Sequence, residues 1–166
     1  MTLNMLHRFE KLIRLEMRDN KLMELPYNTT AAFQTIANLH LLDLRNNFLR
    51  SLYAGAFKGL SKLTVLLLGH NPVQVLKNHA FSGLRSIKIL KLNNLQLYRI
   101  EKFAFSDLLS LKELYLSSNR LSVISACTLE MLNSLTILDL RQNNVQVVSL
   151  SSLPLFGRMT YIGGDH

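Results

Sequence analysis

Residues 111–121 read Leu111-Lys112-Glu113-Leu114-Tyr115-Leu116-Ser117-Ser118-Asn119-Arg120-Leu121. Three features are packed into this stretch. Leu114 and Leu116 alternate with polar neighbours, the period of two that marks a short strand with one buried face. Asn119 follows three residues after Leu116, and a further leucine stands two beyond it. The same frame recurs 24 residues upstream and downstream. Leu39, Leu63, Ile87, Leu111 and Leu135 occupy equivalent places, as do Leu42-Leu44-Asn47 and Leu66-Leu68-Asn71. A fixed period of this length signals stacked supersecondary units in place of one central core.

Taking the first leucine of each unit as position 1, repeats begin at Leu12, Leu39, Leu63, Ile87, Leu111 and Leu135. They span 12–38, 39–62, 63–86, 87–110, 111–134 and 135–158, inside a single repeat domain covering 1–166 with partial repeats at both ends. The first is 27 residues long and the others are 24. Each unit buries its apolar face only on its neighbours. The expected architecture is an α/β solenoid, with a parallel sheet of six strands and a return leg of short turns or 3₁₀ segments. The return leg is too short for a regular long helix. Its packing comes from a second column, Phe33, Phe57, Phe81 and Phe105, each followed three residues on by Ile36, Leu60, Leu84 and Leu108.

Position 9 carries a different chemistry. Asn20, Asn47, Asn71, Asn119 and Asn143 fall where the chain turns off the sheet and leaves main-chain groups without a strand partner. An amide side chain donates and accepts at once, so these residues are expected to form a ladder between coils. The fourth repeat has Leu95 in that slot. A backbone irregularity or a bound water is expected there, with the adjacent Asn94 on the other face.

The frame Leu-x-x-Leu-x-Leu-x-x-Asn-x-Leu-x-x-Leu, followed by Phe, resembles the extracellular, 24-residue class of leucine-rich repeat, over nearly the whole chain. Toll-like receptors, neuronal adhesion and guidance proteins, matrix proteoglycans and leucine-rich-repeat G-protein-coupled receptors share it. The resemblance implies a right-handed superhelix with a concave parallel sheet that binds other proteins. The run from Leu155 to His166 is similar to the imperfect last repeat of the G-protein-coupled class. Family members have cysteine-rich caps; this stretch has neither, and Cys127 is its single cysteine. The disulfide-bearing ends are therefore expected outside it, and Cys127 is expected to be a buried or half-buried thiol on the return leg.

Concave-face side chains are those at positions 3, 5, 7, 8 and 10. Position 5 gives Glu16, Asp43, Leu67, Lys91, Tyr115 and Asp139; position 7 gives Arg18, Arg45, Gly69, Asn93, Ser117 and Arg141. Acid and arginine lie side by side in repeats one, two and six. Between them sits a less charged middle that includes Val65, Leu67, His70, Ile89 and Tyr115. Apolar residues rimmed by charge are the anatomy of a protein interface, so this face is the candidate site for a protein or peptide ligand. The acid–arginine pairs alone, if exposed, stabilise by at most about 1 kcal/mol.

Asn28-Thr29-Thr30 is a glycosylation sequon in the long first return leg, which marks Asn28 as a candidate glycan site. Five histidines show no ligand spacing, and neither metal nor cofactor is expected. The chain has 19 Lys and Arg against 11 Asp and Glu, a net charge of +8, spread over all the repeats. That scatter reads as solvation with a preference for acidic partners, not as a nucleic-acid site. There is no Gly-x-Ser-x-Gly, no phosphate loop and no dinucleotide fingerprint, so an enzyme is not expected. No run of 18 apolar residues exists, and no membrane span is expected in this segment. The reading is a protein-binding ectodomain segment of a cell-surface signalling receptor, with the leucine-rich-repeat G-protein-coupled class as its narrower form, lying on the extracellular side of a membrane-anchored parent. The alternative is a non-signalling adhesion, matrix or intracellular scaffold.

Overall fold

The computed structural model describes residues 8–25, 33–145 and 160–163. Its main sheet is parallel throughout and has seven strands. These are β1 (Arg14–Glu16), β2 (Leu41–Asp43), β3 (Val65–Leu67), β5 (Ile89–Lys91), β7 (Glu113–Tyr115), β8 (Ile137–Asp139) and β9 (Tyr161–Gly163). Every one falls on positions 3 to 5 of its coil. Register is strict: Leu15 stands against Leu42, Leu42 against Leu66, Leu66 against Leu90, and so on to Leu138 against Ile162. The first coil's three additional residues leave that register untouched, so they are absorbed on its return leg.

The seventh strand corrects the expected count of six. Gly164 breaks the leucine frame at position 6, but parallel pairing needs only the main chain of positions 3 to 5. Tyr161 and Gly163 pair with Ile137 and Asp139, and the Thr160 N–H donates to Thr136 O at 2.9 Å.

The core is a set of columns. Leu39, Leu63, Ile87, Leu111 and Leu135 are all fully buried, as are Leu42, Leu66, Leu90, Leu114 and Leu138. Phe57, Phe81 and Phe105 stack nearly parallel, with centroids 6.0 and 5.8 Å apart. Burying each ring contributes about 2–3 kcal/mol by transfer, and this column fills the space that the short return legs enclose. Among the described residues those legs are mostly turns, with short helical pieces at residues 33–35 and in α1 (Ala126–Leu129). Cys127 lies on α1 and is exposed, against the expectation of a buried or half-buried thiol. The helix presents Thr128 and Leu129 inward, which turns Cys127 out.

The asparagine ladder forms as expected from Asn47 to Asn143, while Asn20 is exposed and bonds Met17 O and Arg18 O of its own coil. Asn71 Nδ2 donates to Leu68 O in its own coil at 2.7 Å and to Leu44 O in the preceding coil at 2.9 Å. Its Oδ1 accepts from the Leu49 N–H at 3.0 Å. Asn47, Asn119 and Asn143 repeat the pattern. At the gap left by Leu95 the main chain adjusts. The Val73 N–H, which would meet an amide oxygen from position 9 of the next coil, donates to Asn71 O two residues back. Asn119 Oδ1 accepts from both Leu95 and Leu97 N–H groups, at 2.9 and 3.1 Å. Just beyond, β4 (Val75–Leu76) and β6 (Arg99–Ile100) form a second, two-stranded parallel sheet.

One regularity has no counterpart in the hydrophobic pattern. Position 8 is left-handed in all six repeats: Asp19, Asn46, His70, Asn94, Ser118 and Gln142 have φ between 53° and 59°. Asn, Asp and His tolerate that region better than most residues. The turn off the sheet is built there, one residue ahead of the amide that satisfies it. Asn94 is exposed, as expected.

Candidate ligand-binding face

The face follows from three-residue strands. With positions 1, 4 and 6 turned into the core, positions 3, 5 and 7 stand on the opposite side of the sheet. Val65, Leu67, Ile89 and Tyr115 are half-buried there, and Lys91 is exposed. The register makes them one surface: Val65 stands beside Ile89, Leu67 beside Lys91, and Lys91 beside Tyr115. The Lys91 ammonium sits 4.9 Å from the centroid of the Tyr115 ring. Tyr115 donates its hydroxyl hydrogen to Glu113 Oε2 at 2.9 Å. Asn93 Nδ2 donates to Ser117 Oγ at 2.5 Å.

Leu41, Glu113 and Ile137 belong to the same surface. They occupy position 3 beside Val65 and Ile89 and are half-buried like them. The column rule that selects Val65 and Ile89 selects these three as well. Gly69 is the low point between Arg45 and Asn93. A Cβ there would lie 3.2 Å from Asn93 O, so the notch is fixed by the neighbouring main chain.

The flanking charges are arranged differently from a solvating fringe. Asp43 and Asp139 are covered, with side chains 2% exposed, while Arg45 and Arg141 remain 39% and 56% exposed. Each guanidinium grips its carboxylate twice. Arg45 Nε donates to Asp43 Oδ1 at 2.9 Å and Nη2 to Oδ2 at 2.7 Å; Arg141 binds Asp139 the same way at 2.8 and 2.9 Å. Burial lifts the Asp43 carboxyl, but the Arg45 side-chain and main-chain hydrogen bonds outweigh it and hold the group below the ordinary carboxylate range. Asp139 is lowered first by its bond to Arg141, with burial opposing and Ser117 helping. A ligand therefore meets two pinned arginines and not two acids. Glu16 and Arg18, at the other end, are exposed, as is Arg14 beside them.

His70 is exposed at the left-handed position 8. Among the described residues no group of three His, Cys, Asp or Glu side chains converges on one point. Asn28, the glycan candidate, lies outside the described residues. No helix among the described residues is long and apolar enough to cross a membrane.

These columns and this ladder define a leucine-rich-repeat solenoid. The family profile described as "Leucine rich repeat" matches residues 37–97 and 85–145, and the chain belongs to that family, a class of scaffold that binds proteins. Among solved structures, the chain is similar to one in a TLR13–ssRNA13 complex, with TM-score 0.82, 25% identity, and coverage of 92% of this chain and 22% of that one. It is also similar to the Leptospira interrogans LRR protein LIC12759, with TM-score 0.77, 22% identity, and coverage of 97% of this chain and 39% of that one. It thus spans well under half the length of either. No curated protein matches it in sequence. The TLR13 complex holds RNA, so a scattered positive charge is not enough to exclude nucleic acid as a partner of such a fold.

Proposed function

We propose that the chain is a ligand-capturing segment of a cell-surface signalling receptor, which binds a protein or peptide on the concave sheet. The observation that carries this reading is the half-buried apolar band Leu41, Val65, Leu67, Ile89 and Tyr115, framed by half-buried Arg45 and exposed Lys91 and Arg141. An apolar centre with a charged rim is what a protein partner requires. The likeness to TLR13 supports a receptor over a passive scaffold, and the repeat class supports an extracellular location with Asn28 glycosylated. Leucine-rich-repeat G-protein-coupled receptors remain the narrower form of the reading, through the run from Leu155 to His166. Protein is favoured over nucleic acid because single strands are held by aromatic stacking on successive bases, and positions 3, 5, 7, 8 and 10 of the six repeats hold only two Phe or Tyr rings, Tyr115 and Phe48.

Surface biotinylation of the full-length gene product in its own cells tests the location; labelling confined to the interior refutes it. Ligand capture is tested with the Leu67→Glu and Tyr115→Ala variants, assayed for binding of proteins from the extracellular medium. Loss of one band in both variants, with retention in a Lys77→Glu control, supports the concave face. Equal retention in all three refutes it.

A further inference from the structure

The basic residues that look scattered along the chain are gathered by the coil. His40, Thr64, Lys88, Lys112 and Thr136 all stand at position 2, just before the strands. Each N–H donates to the carbonyl of its predecessor: Thr64 to His40 at 2.9 Å, Lys88 to Thr64 at 2.8 Å, Lys112 to Lys88 at 2.9 Å and Thr136 to Lys112 at 2.9 Å. They form one column along the flank, with steps of about 4.8 Å. Lys62 and Arg85 stand two or three residues ahead of it on neighbouring coils. Lys62, Arg85, Lys88 and Lys112 are all exposed, and none is in an ion pair among the described residues. From Ala37 to Thr136, positions 23, 24 and 2 contain no acid. Two carboxylates that flank it in sequence are engaged elsewhere: Asp107 accepts from Ser82 Oγ and the Gly83 N–H, and Glu113 from Tyr115.

The hydroxyls of the strip carry the second half of the argument. Thr64 Oγ1 donates to His40 O at 3.0 Å, Thr136 Oγ1 to Lys112 O at 3.1 Å and Ser134 Oγ to Leu109 O at 2.8 Å. With their hydrogens committed to the main chain, they turn acceptor lone pairs outward. The strip thus offers four cations on successive coils, Lys62 also donating to Asn38 Oδ1 at 2.8 Å, and, beside them, acceptors for hydroxyl or amide donors. We propose that it binds a linear sulfated polysaccharide, whose sulfates meet Lys62, Arg85, Lys88 and Lys112 while its hydroxyl and amide groups donate to the threonine and serine oxygens. A single-stranded nucleic acid fits less well. The strip's only ring is His40, and base stacking supplies much of single-strand affinity. The surface is distinct from the concave apolar band, so failure of the ligand-capture reading leaves it standing.

The test uses the chain with a fluorescent heparin decasaccharide and, separately, a twenty-nucleotide single-stranded RNA, by anisotropy over a salt series. The strip variant is Lys88→Glu with Lys112→Glu; the control, of equal charge change, is Lys77→Glu with Lys102→Glu on the return legs. All four lysines are exposed, and circular dichroism checks that both variants fold. The expected result is heparin affinity reduced about tenfold or more in the strip variant and within about twofold of wild type in the control. The dependence of log affinity on log salt should also flatten by about one to two in the strip variant alone. Equal losses in the two variants, no heparin binding, or tighter strip-dependent binding of the RNA would each overturn the proposal.

Discussion

Removing the amide of Asn71 tests the ladder where its accounting is clearest. Asn71 is 2% exposed and makes three hydrogen bonds to main chain in two coils. Leu44 O keeps a second donor in Asn47 Nδ2 at 3.1 Å. The Leu49 N–H and Leu68 O keep none among the bonds of the described residues. Asn71→Ala therefore strands one buried donor and one buried acceptor. At about 1–3 kcal/mol for each, the loss should be about 2–4 kcal/mol once local relaxation is allowed. The companion variants sit one coil along. Asn94 is exposed with φ 56°, so Asn94→Ala should cost about 1 kcal/mol through left-handed strain, while Asn94→Gly should be neutral or slightly stabilising. Urea unfolding followed by far-ultraviolet circular dichroism measures all three. If Asn71→Ala and Asn94→Gly lose stability equally, the ladder is not what holds the turns.

Phe81→Ala should cost about 3–5 kcal/mol, because its ring lies between two stacked neighbours; calorimetry of the variant checks it, and a loss under 1 kcal/mol would mean the column is not close-packed. The lowered carboxyls of Asp43 and Asp139 contribute stability that is complete above the unfolded-state value near about pH 4 and is withdrawn as pH falls through the lower folded-state values. Acid titration of thermal stability should show that loss, reduced in the Asp43→Asn, Asp139→Asn double variant; an identical profile in the two proteins would refute it. Cys127 should react with an aromatic disulfide reagent in the native state at a rate close to that of a free thiol, and a rate rising only on unfolding would contradict its exposure.

The leucine, phenylalanine and asparagine columns were legible because each repeats one side-chain type at one spacing, and burial demands that type. Strand register followed from them. Other features were illegible because the main chain creates them. The seventh strand needs only peptide groups at Tyr161–Gly163. The second sheet at Val75–Leu76 and Arg99–Ile100 sits beside the place where Leu95 interrupts the amides. The left-handed position 8 had a partial signal in Asp19, Asn46, His70 and Asn94, diluted by Ser118 and Gln142. On the candidate face, alternation placed Leu67, Lys91 and Tyr115 correctly on one surface. It could not foresee that Asp43 and Asp139 would lie beneath their arginines, since a two-residue offset is equally compatible with an exposed pair. The basic flank was hidden for a simpler reason: Lys62, Arg85, Lys88 and Lys112 are spread over fifty residues of sequence and meet only through the coiling.

Register along the sheet survives a first coil of 27 residues among coils of 24. Length is thus negotiable on the back of the molecule and fixed on its front. Such a protein is free to gain or lose ornaments on its outer side, or to duplicate a whole turn, while the inner surface keeps its spacing. New specificities then arise by exchanging single side chains on an unchanging grid.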